Sequence, residues 1–136
     1  MRNYSLAIRI YYEDNDAGGV VYYANYLKFL ERARTEWLRS FGFEQDQLRE
    51  QEGIIFAVRS ANVRYRQAAR FNQQIISSVD DFSLKRASIG LKQSIVMQDG
   101  RSEVVNAEVN IVCLDCDKFS PKPIPERLYR ELLACK

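Results

Sequence analysis

Apolar residues recur along this chain with two periods, and the switches between them mark its elements. Leu6, Ile8, Ile10 and Tyr12 alternate with Ala7, Arg9 and Tyr11, which predicts a strand over 5–12. Asp14, Asn15, Asp16, Gly18 and Gly19 then interrupt the alternation over 13–22 with loop chemistry. From Ala24 to Phe41 the period becomes helical: Tyr26, Leu30, Ala33, Trp37 and Phe41 recur on one face, widened by Phe29 and Leu38. Arg32 and Glu36 have the spacing of an ion pair on another face, and Gly42 stands where a helix would end. Four strand-like runs follow, at about 54–66, 73–83, 86–98 and 102–115, the last two joined by the hairpin signal Asp99-Gly100. Pro121, Pro123 and Pro125 lead into a short amphipathic helix at about 126–134, with Leu128, Leu132 and Leu133 apolar.

Short turns between the strands predict mostly antiparallel pairing. The long helix is the only large cover for one face of such a sheet. The expectation is one α+β domain over 1–136, with a sheet wrapped around a single helix.

Charge and residue counts narrow the chemistry. The formal net charge of +2 gives no reason to expect nucleic acid or an anionic membrane as partner. Met1 to Tyr12 holds no unbroken apolar run, so no leader, no membrane insertion and a cytoplasmic location are expected. The chain has no histidine, which removes Ser-His-Asp triads, Cys-His pairs and His metal sites together. Acid–base or nucleophilic work then falls mainly to carboxylates, with Tyr, Lys and Cys as lesser candidates. The three cysteines are an odd count in an expected reducing compartment, which argues against a disulfide framework, and no second Cys pair or His completes a zinc site. Cys113-x-x-Cys116 ends a strand-like run rather than opening a helix, so a redox role is not expected.

The segment from Tyr12 to Tyr26 concentrates the candidate chemistry. Asp14 and Asp16, with Gly18 and Gly19, stand just before a helix N-terminus, where free N–H groups carry partial positive charge. Such amides polarise a carbonyl oxygen, and a nearby ionised Asp serves as nucleophile or base: the parts that acyl transfer requires. The same residue types also make ordinary caps and turns. Glu31 and Glu36 on the helix are rival carboxylates. For a polyanionic ligand the candidate cations are Arg64, Arg66, Arg70 and the pair Lys85-Arg86. No glycine-rich phosphate-binding fingerprint occurs.

Tyr12, Asp14, Asp16, Gly19, Val20, Val21, Tyr22, Asn25, Tyr26, Leu27, Phe29, Glu31, Ala33 and Arg34 fall in register with the pattern Y-x-D-T-D-x-x-G-V-V-Y-H-x-N-Y-[LV]-x-[FW]-x-E-x-A-R. That pattern is the signature of the 4-hydroxybenzoyl-CoA thioesterase family, and the chain resembles its YbgC-like branch. The stretch from Arg64 to Phe71 and the tail from Lys118 to Pro125 extend the likeness over nearly the whole chain. The resemblance implies a hotdog fold, a curved antiparallel sheet around one long helix, assembled as a homodimer or homotetramer. It implies hydrolysis of an acyl-CoA thioester to free acid and CoA, with no cofactor and no metal beyond the CoA of the substrate. Carried over by position, Asp16 is the catalytic carboxylate and Tyr23 the residue whose backbone N–H polarises the carbonyl. Gly19, Val20, Lys85 and Arg86 are expected to contact substrate, while Asp14 and Asn25 shape the loop. Tyr23 stands where YbgC-like members usually carry His, Asn15 where they carry Thr, and Ala68 where Pro is frequent. A role made by a backbone N–H survives the first change. One helix and one small sheet form a shallow pocket alone, so the site is expected at a dimer interface. A binding or protein-interaction module that keeps the fold but turns nothing over is the alternative reading.

Overall fold

A computed structural model describes residues 4–136; residues 1–3, the start of the Met1 to Tyr12 segment read for a leader, lie outside it. The strands are β1 (Tyr4–Arg9), β2 (Ile54–Tyr65), β3 (Gln74–Leu84), β4 (Ser88–Met97) and β5 (Glu103–Asp115). The helices are α1 (Asn25–Ser40), a short α2 (Gln45–Gln47) that runs on into a wider turn at Leu48–Glu52, and α3 (Glu126–Ala134). The strands form one antiparallel sheet in the order β1-β3-β4-β5-β2. α1 lies against β1, β3 and β4 on its inner face, giving the α+β hotdog architecture that the sequence implied.

The elements fall within a few residues of their expected bounds, with three differences. β1 stops at Arg9, and Tyr12–Asp14 forms a single 3-10 turn. The neighbouring 72–73 backbone takes up Ile10 through its N–H and its carbonyl, which carries the pairing one residue past the strand. α2 and its wide turn carry no long apolar period, yet they bury Leu48. Glu36 pairs with Arg39, not Arg32, and Arg39 also bonds Glu44 at 2.9 Å. Arg32 instead lies 5.6 Å from the Phe29 ring centroid.

The predicted helical face is the face that α1 buries: Tyr26, Phe29, Leu30, Ala33, Trp37 and Leu38 are all nearly inaccessible. Each large one contributes about 1.5–3 kcal/mol of burial free energy. Gly42, at φ 89°, ends the helix in the left-handed conformation that glycine adopts without a Cβ penalty. Across the core, β4 presents Ile89, Leu91 and Ile95, and β5 presents Val105, Val109, Ile111 and Cys113. Burial pushes the Cys113 thiol up to about 11, the opposite of a reactive cysteine. Among the described residues no helix is long and apolar enough to cross a membrane.

Two polar anchors fix α1 to the sheet. Ser77 Oγ donates to the Phe29 carbonyl at 2.9 Å. Gln93 Nε2 donates to the Leu30 carbonyl at 2.9 Å, while Gln93 Oε1 accepts from Arg34 Nη1 at 2.9 Å. Arg34 is buried without a carboxylate at ion-pair distance among the described residues, and desolvation lowers its pKa. Gln93→Ala strips this guanidinium of its acceptor and Leu30 of its donor, and is expected to cost about 2–4 kcal/mol in urea unfolding. Arg34→Met, which removes the charge and keeps the length, should cost less than Gln93→Ala.

Candidate active site

The loop between β1 and α1 folds into a small hairpin. Asn15 bridges Val21, Asp16 N–H donates to the Val20 carbonyl at 2.8 Å, and Tyr22 N–H donates to the Asp14 carbonyl at 2.9 Å. At its tip Gly19 N–H donates to the Asp16 carbonyl at 3.1 Å, with Gly19 at φ 80°. Only glycine holds that conformation without strain. Asp16 is exposed, and its Oδ1 accepts the Gly18 N–H at 2.8 Å. That bond orients the carboxylate and leaves Oδ2 without a partner among the described residues.

Asp14 has a different task. Its carbonyl receives both Tyr22 N–H and Asn25 Nδ2, the latter at 2.8 Å, and its Oδ2 accepts Tyr11 N–H at 2.8 Å. It ties the hairpin to the head of α1, as does Asn25.

The hairpin is also pinned from below. Val20 bridges Arg70, and Val21 N–H donates to the Ala69 carbonyl at 2.9 Å. Ala69 N–H is taken by the hydroxyl of the buried Tyr26 at 2.9 Å. Burial raises the pKa of Tyr26, so the phenol stays protonated at neutral pH. The 66–73 connection that supplies Ala69 crosses the end of the sheet from β2, at one edge, to β3, beside the other.

The second arm of the hairpin leads into α1 through Tyr23 and Ala24. The N-cap residue is Ala24, and no side chain caps the helix. The N–H groups of Asn25, Tyr26 and Leu27 turn back to Tyr22, Tyr23 and Ala24, whereas those of Tyr23 and Ala24 have no partner among the described residues. Two open amides at the positive end of a 16-residue helix thus sit beside a hairpin carrying an oriented carboxylate. Three tyrosine rings border the place: Tyr23 lies 5.0 Å from Tyr22 and 6.0 Å from Tyr65 between centroids. All three are substantially exposed. This aromatic rim was not legible in the sequence, because Tyr65 reaches it only through the β2–β5 register.

The other candidates fall elsewhere. Glu31 is exposed on α1 and accepts the Thr35 hydroxyl at 2.9 Å; Glu36 is engaged by Arg39. Arg64 and Arg66 line one groove of about 420 Å³ with Asp80, Lys92 and Glu108, on the sheet face opposite α1. Lys85 and Arg86 form the β3–β4 turn, at the far end of β3 from the hairpin. The 11 residues of β3 put roughly 33 Å between these ends. A cavity of about 450 Å³ on the outer sheet face is lined by neither Asp16 nor Tyr23. Asp16 and Tyr23 are both exposed, so the hairpin and helix head form an open shelf at the surface.

Residues 11–132 match the family model of the thioesterase-like superfamily. The chain is 40% identical over 125 residues to the acyl-CoA thioester hydrolase YbgC of Escherichia coli O6:H1, covering 91% of each chain. It is 36% identical over 125 residues to the acyl-CoA thioesterase YbgC of Haemophilus influenzae, covering 92% of this chain and 90% of that one. The crystal structure of a probable thioesterase from Bartonella henselae superposes with a TM-score of 0.85 at 31% identity, covering 91% of this chain and all of the other.

Gly19→Ala tests the hairpin. A Cβ there meets nothing within 4 Å, so the cost is conformational, about 1–2 kcal/mol. The loss should appear as faster amide exchange in the 15–22 hairpin, with the exchange of β3 to β5 unchanged.

Proposed function

The chain belongs to the thioesterase-like superfamily and is an acyl-CoA thioester hydrolase, and on that premise we propose that Asp16 and the open amides at the head of α1 carry the reaction. The observation that supports this reading most is the missing side-chain cap on α1 beside an oriented carboxylate. The thioester oxygen would accept the Tyr23 N–H, with Ala24 N–H as a second donor. Negative charge develops on that oxygen as the carbonyl carbon becomes tetrahedral, and the helix dipole stabilises it there. Asp16 then acts in one of two ways. As nucleophile it forms a mixed anhydride, expelling the CoA thiolate, and water cleaves the anhydride. As general base it takes a proton from the water that attacks directly. Either course consumes one water and releases the free acid and CoA, and neither requires a metal or an organic cofactor. Gly19 and Val20 form the near wall, since the hairpin tip brings their backbone beside Asp16.

The reading includes a second copy. Among the described residues β2, a 12-residue strand, pairs with β5 alone, and Val58 on it is 51% exposed. An unpaired edge of that length invites another strand. Antiparallel pairing of two β2 strands about their bulge near Val58 and Ser60 brings the Ile54 end of one copy beside the Tyr65 end of the other. That closes the shelf and makes a homodimer, which further faces of the sheet can extend to a tetramer. It also turns the Lys85 and Arg86 end of one copy toward the catalytic end of its neighbour. There the two cations meet the phosphate charges of a substrate held by the neighbouring copy.

Thiol release from short, long and aromatic acyl-CoAs, wild type against Asp16→Ala, tests the reading. Turnover should fall at least about a hundredfold in the variant, equivalent to roughly 2.7 kcal/mol of lost transition-state stabilisation. The wild type should sediment as a dimer or larger. Equal turnover by the variant would remove Asp16 from the chemistry, and a fully active monomer would remove the second copy.

A further inference from the structure

α1 reaches the hairpin that carries Asp16 by two routes. Asn25 makes the first: its N–H and its Nδ2 bond the Tyr22 and Asp14 carbonyls, both at 2.8 Å, at the base of the hairpin. Tyr26 makes the second and longer one. Its hydroxyl accepts the Ala69 N–H at 2.9 Å, and the Ala69 carbonyl accepts the Val21 N–H at 2.9 Å. The adjoining Val20 carbonyl accepts the Asp16 N–H at 2.8 Å.

The links of this second route are enclosed, since Tyr26, Ala69 and Val21 are all buried. The phenol ring is set between neighbours, its centroid 6.1 Å from that of Phe29 and 5.7 Å from that of Tyr65. The 66–73 connection that carries Ala69 is tied at both ends. Arg66 N–H donates to the Val104 carbonyl at 2.8 Å, Asn72 N–H donates to the Ile10 carbonyl at 2.9 Å, and Phe71 stacks on Tyr12 with centroids 3.8 Å apart. In its middle the Ala69 N–H has no acceptor among the described residues other than the phenol oxygen.

Tyr26 also governs the other half of the site. Its own N–H donates to the Tyr23 carbonyl at 3.2 Å. That carbonyl shares a planar trans peptide with the Ala24 N–H, which therefore points the opposite way, off the head of the helix. The backbone of Tyr26 thus aims one open amide, and its side chain holds the carboxylate's hairpin beside it. We propose that Tyr26 is a positioning residue for the hydrolysis: its buried hydroxyl, through Ala69 and Val21, holds Asp16 at its working distance from the Tyr23 and Ala24 amides. This rests on the acyl-CoA reading above. The buried hydroxyl meets no substrate and acts only through Asp16.

Tyr26→Phe removes the oxygen and keeps the ring and the backbone bond. Steady-state acyl-CoA hydrolysis by wild type, Tyr26→Phe, Asp16→Ala and the double variant tests the proposal. Tyr26→Phe should lower kcat about tenfold to a hundredfold, the effect of misplacing a reacting group by about 1 Å, and move KM by less than about twofold. The double variant should be no slower than Asp16→Ala, because nothing is left to position. Unchanged kcat in Tyr26→Phe would overturn the proposal. So would an equal loss with and without Asp16, which is what a hydroxyl serving stability alone would give. Wild-type turnover by Asp16→Ala would remove the underlying reading and this proposal with it, whereas wild-type turnover by Tyr26→Phe alone removes only the proposal. Amide exchange of the wild type needs no variant: the Ala69 and Val21 amides should exchange at least about a hundredfold more slowly than those of Tyr23 and Ala24. Ala69 exchanging as fast as those two would overturn the proposal even if Tyr26→Phe failed to fold.

Discussion

A helix can keep its first amides open only if the chain before it is tied down by other bonds. Here Asp14 supplies them: its carbonyl takes Tyr22 N–H and Asn25 Nδ2, and its carboxylate takes Tyr11 N–H. With Asp14 so occupied, no side chain caps α1, and Tyr23 and Ala24 present their N–H groups outward. A cap from Asp or Asn is worth about 1 kcal/mol to a helix. The chain forgoes that gain where a developing oxyanion can use the same amides. Burial of Phe29, Leu30, Trp37 and Leu38 holds α1 regardless, so its head need not contribute to its stability.

The rigidity of the candidate site comes from convergence of separate pieces of chain. The hairpin stands on Ala69, Ala69 is held by the Tyr26 hydroxyl, and Tyr26 belongs to the buried face of α1. Helix, hairpin and the β2–β3 connection therefore close a loop of hydrogen bonds around the candidate site. The Arg34–Gln93–Leu30 chain locks the same helix to β4. Asp16 and the helix amides gain a fixed relation from these bonds, and electrostatic stabilisation of a transition state requires one.

Much of this was legible in the sequence, because the signals were local. The two hydrophobic periods gave the long helix and the five strands, and the run of Asp, Asn and Gly before Tyr26 marked the loop. What escaped was set by long-range pairing. Nothing in the residues between 66 and 73 says that β2 lies at an edge and β3 beside β1. The approach of Ala69 to Val21, of Tyr65 to Tyr23 and of Phe71 to Tyr12 follows from that crossing. The same topology separates Lys85 and Arg86 from the hairpin within one copy, although their charge alone made them natural phosphate partners. Arg39 holds both Glu36 and Glu44, the latter brought round by the turn after Gly42, where local spacing had paired Glu36 with Arg32.

The central claim is that the head of α1 polarises the thioester carbonyl which Asp16 then acts upon. Infrared difference spectroscopy of an acyl-CoA labelled with carbon-13 at the carbonyl, bound to Asp16→Asn, measures that polarisation directly. The account predicts a carbonyl stretch shifted to lower frequency than in solution, since two amide donors and the helix dipole weaken the C=O bond. A stretch at its solution frequency in the saturated complex would contradict the account.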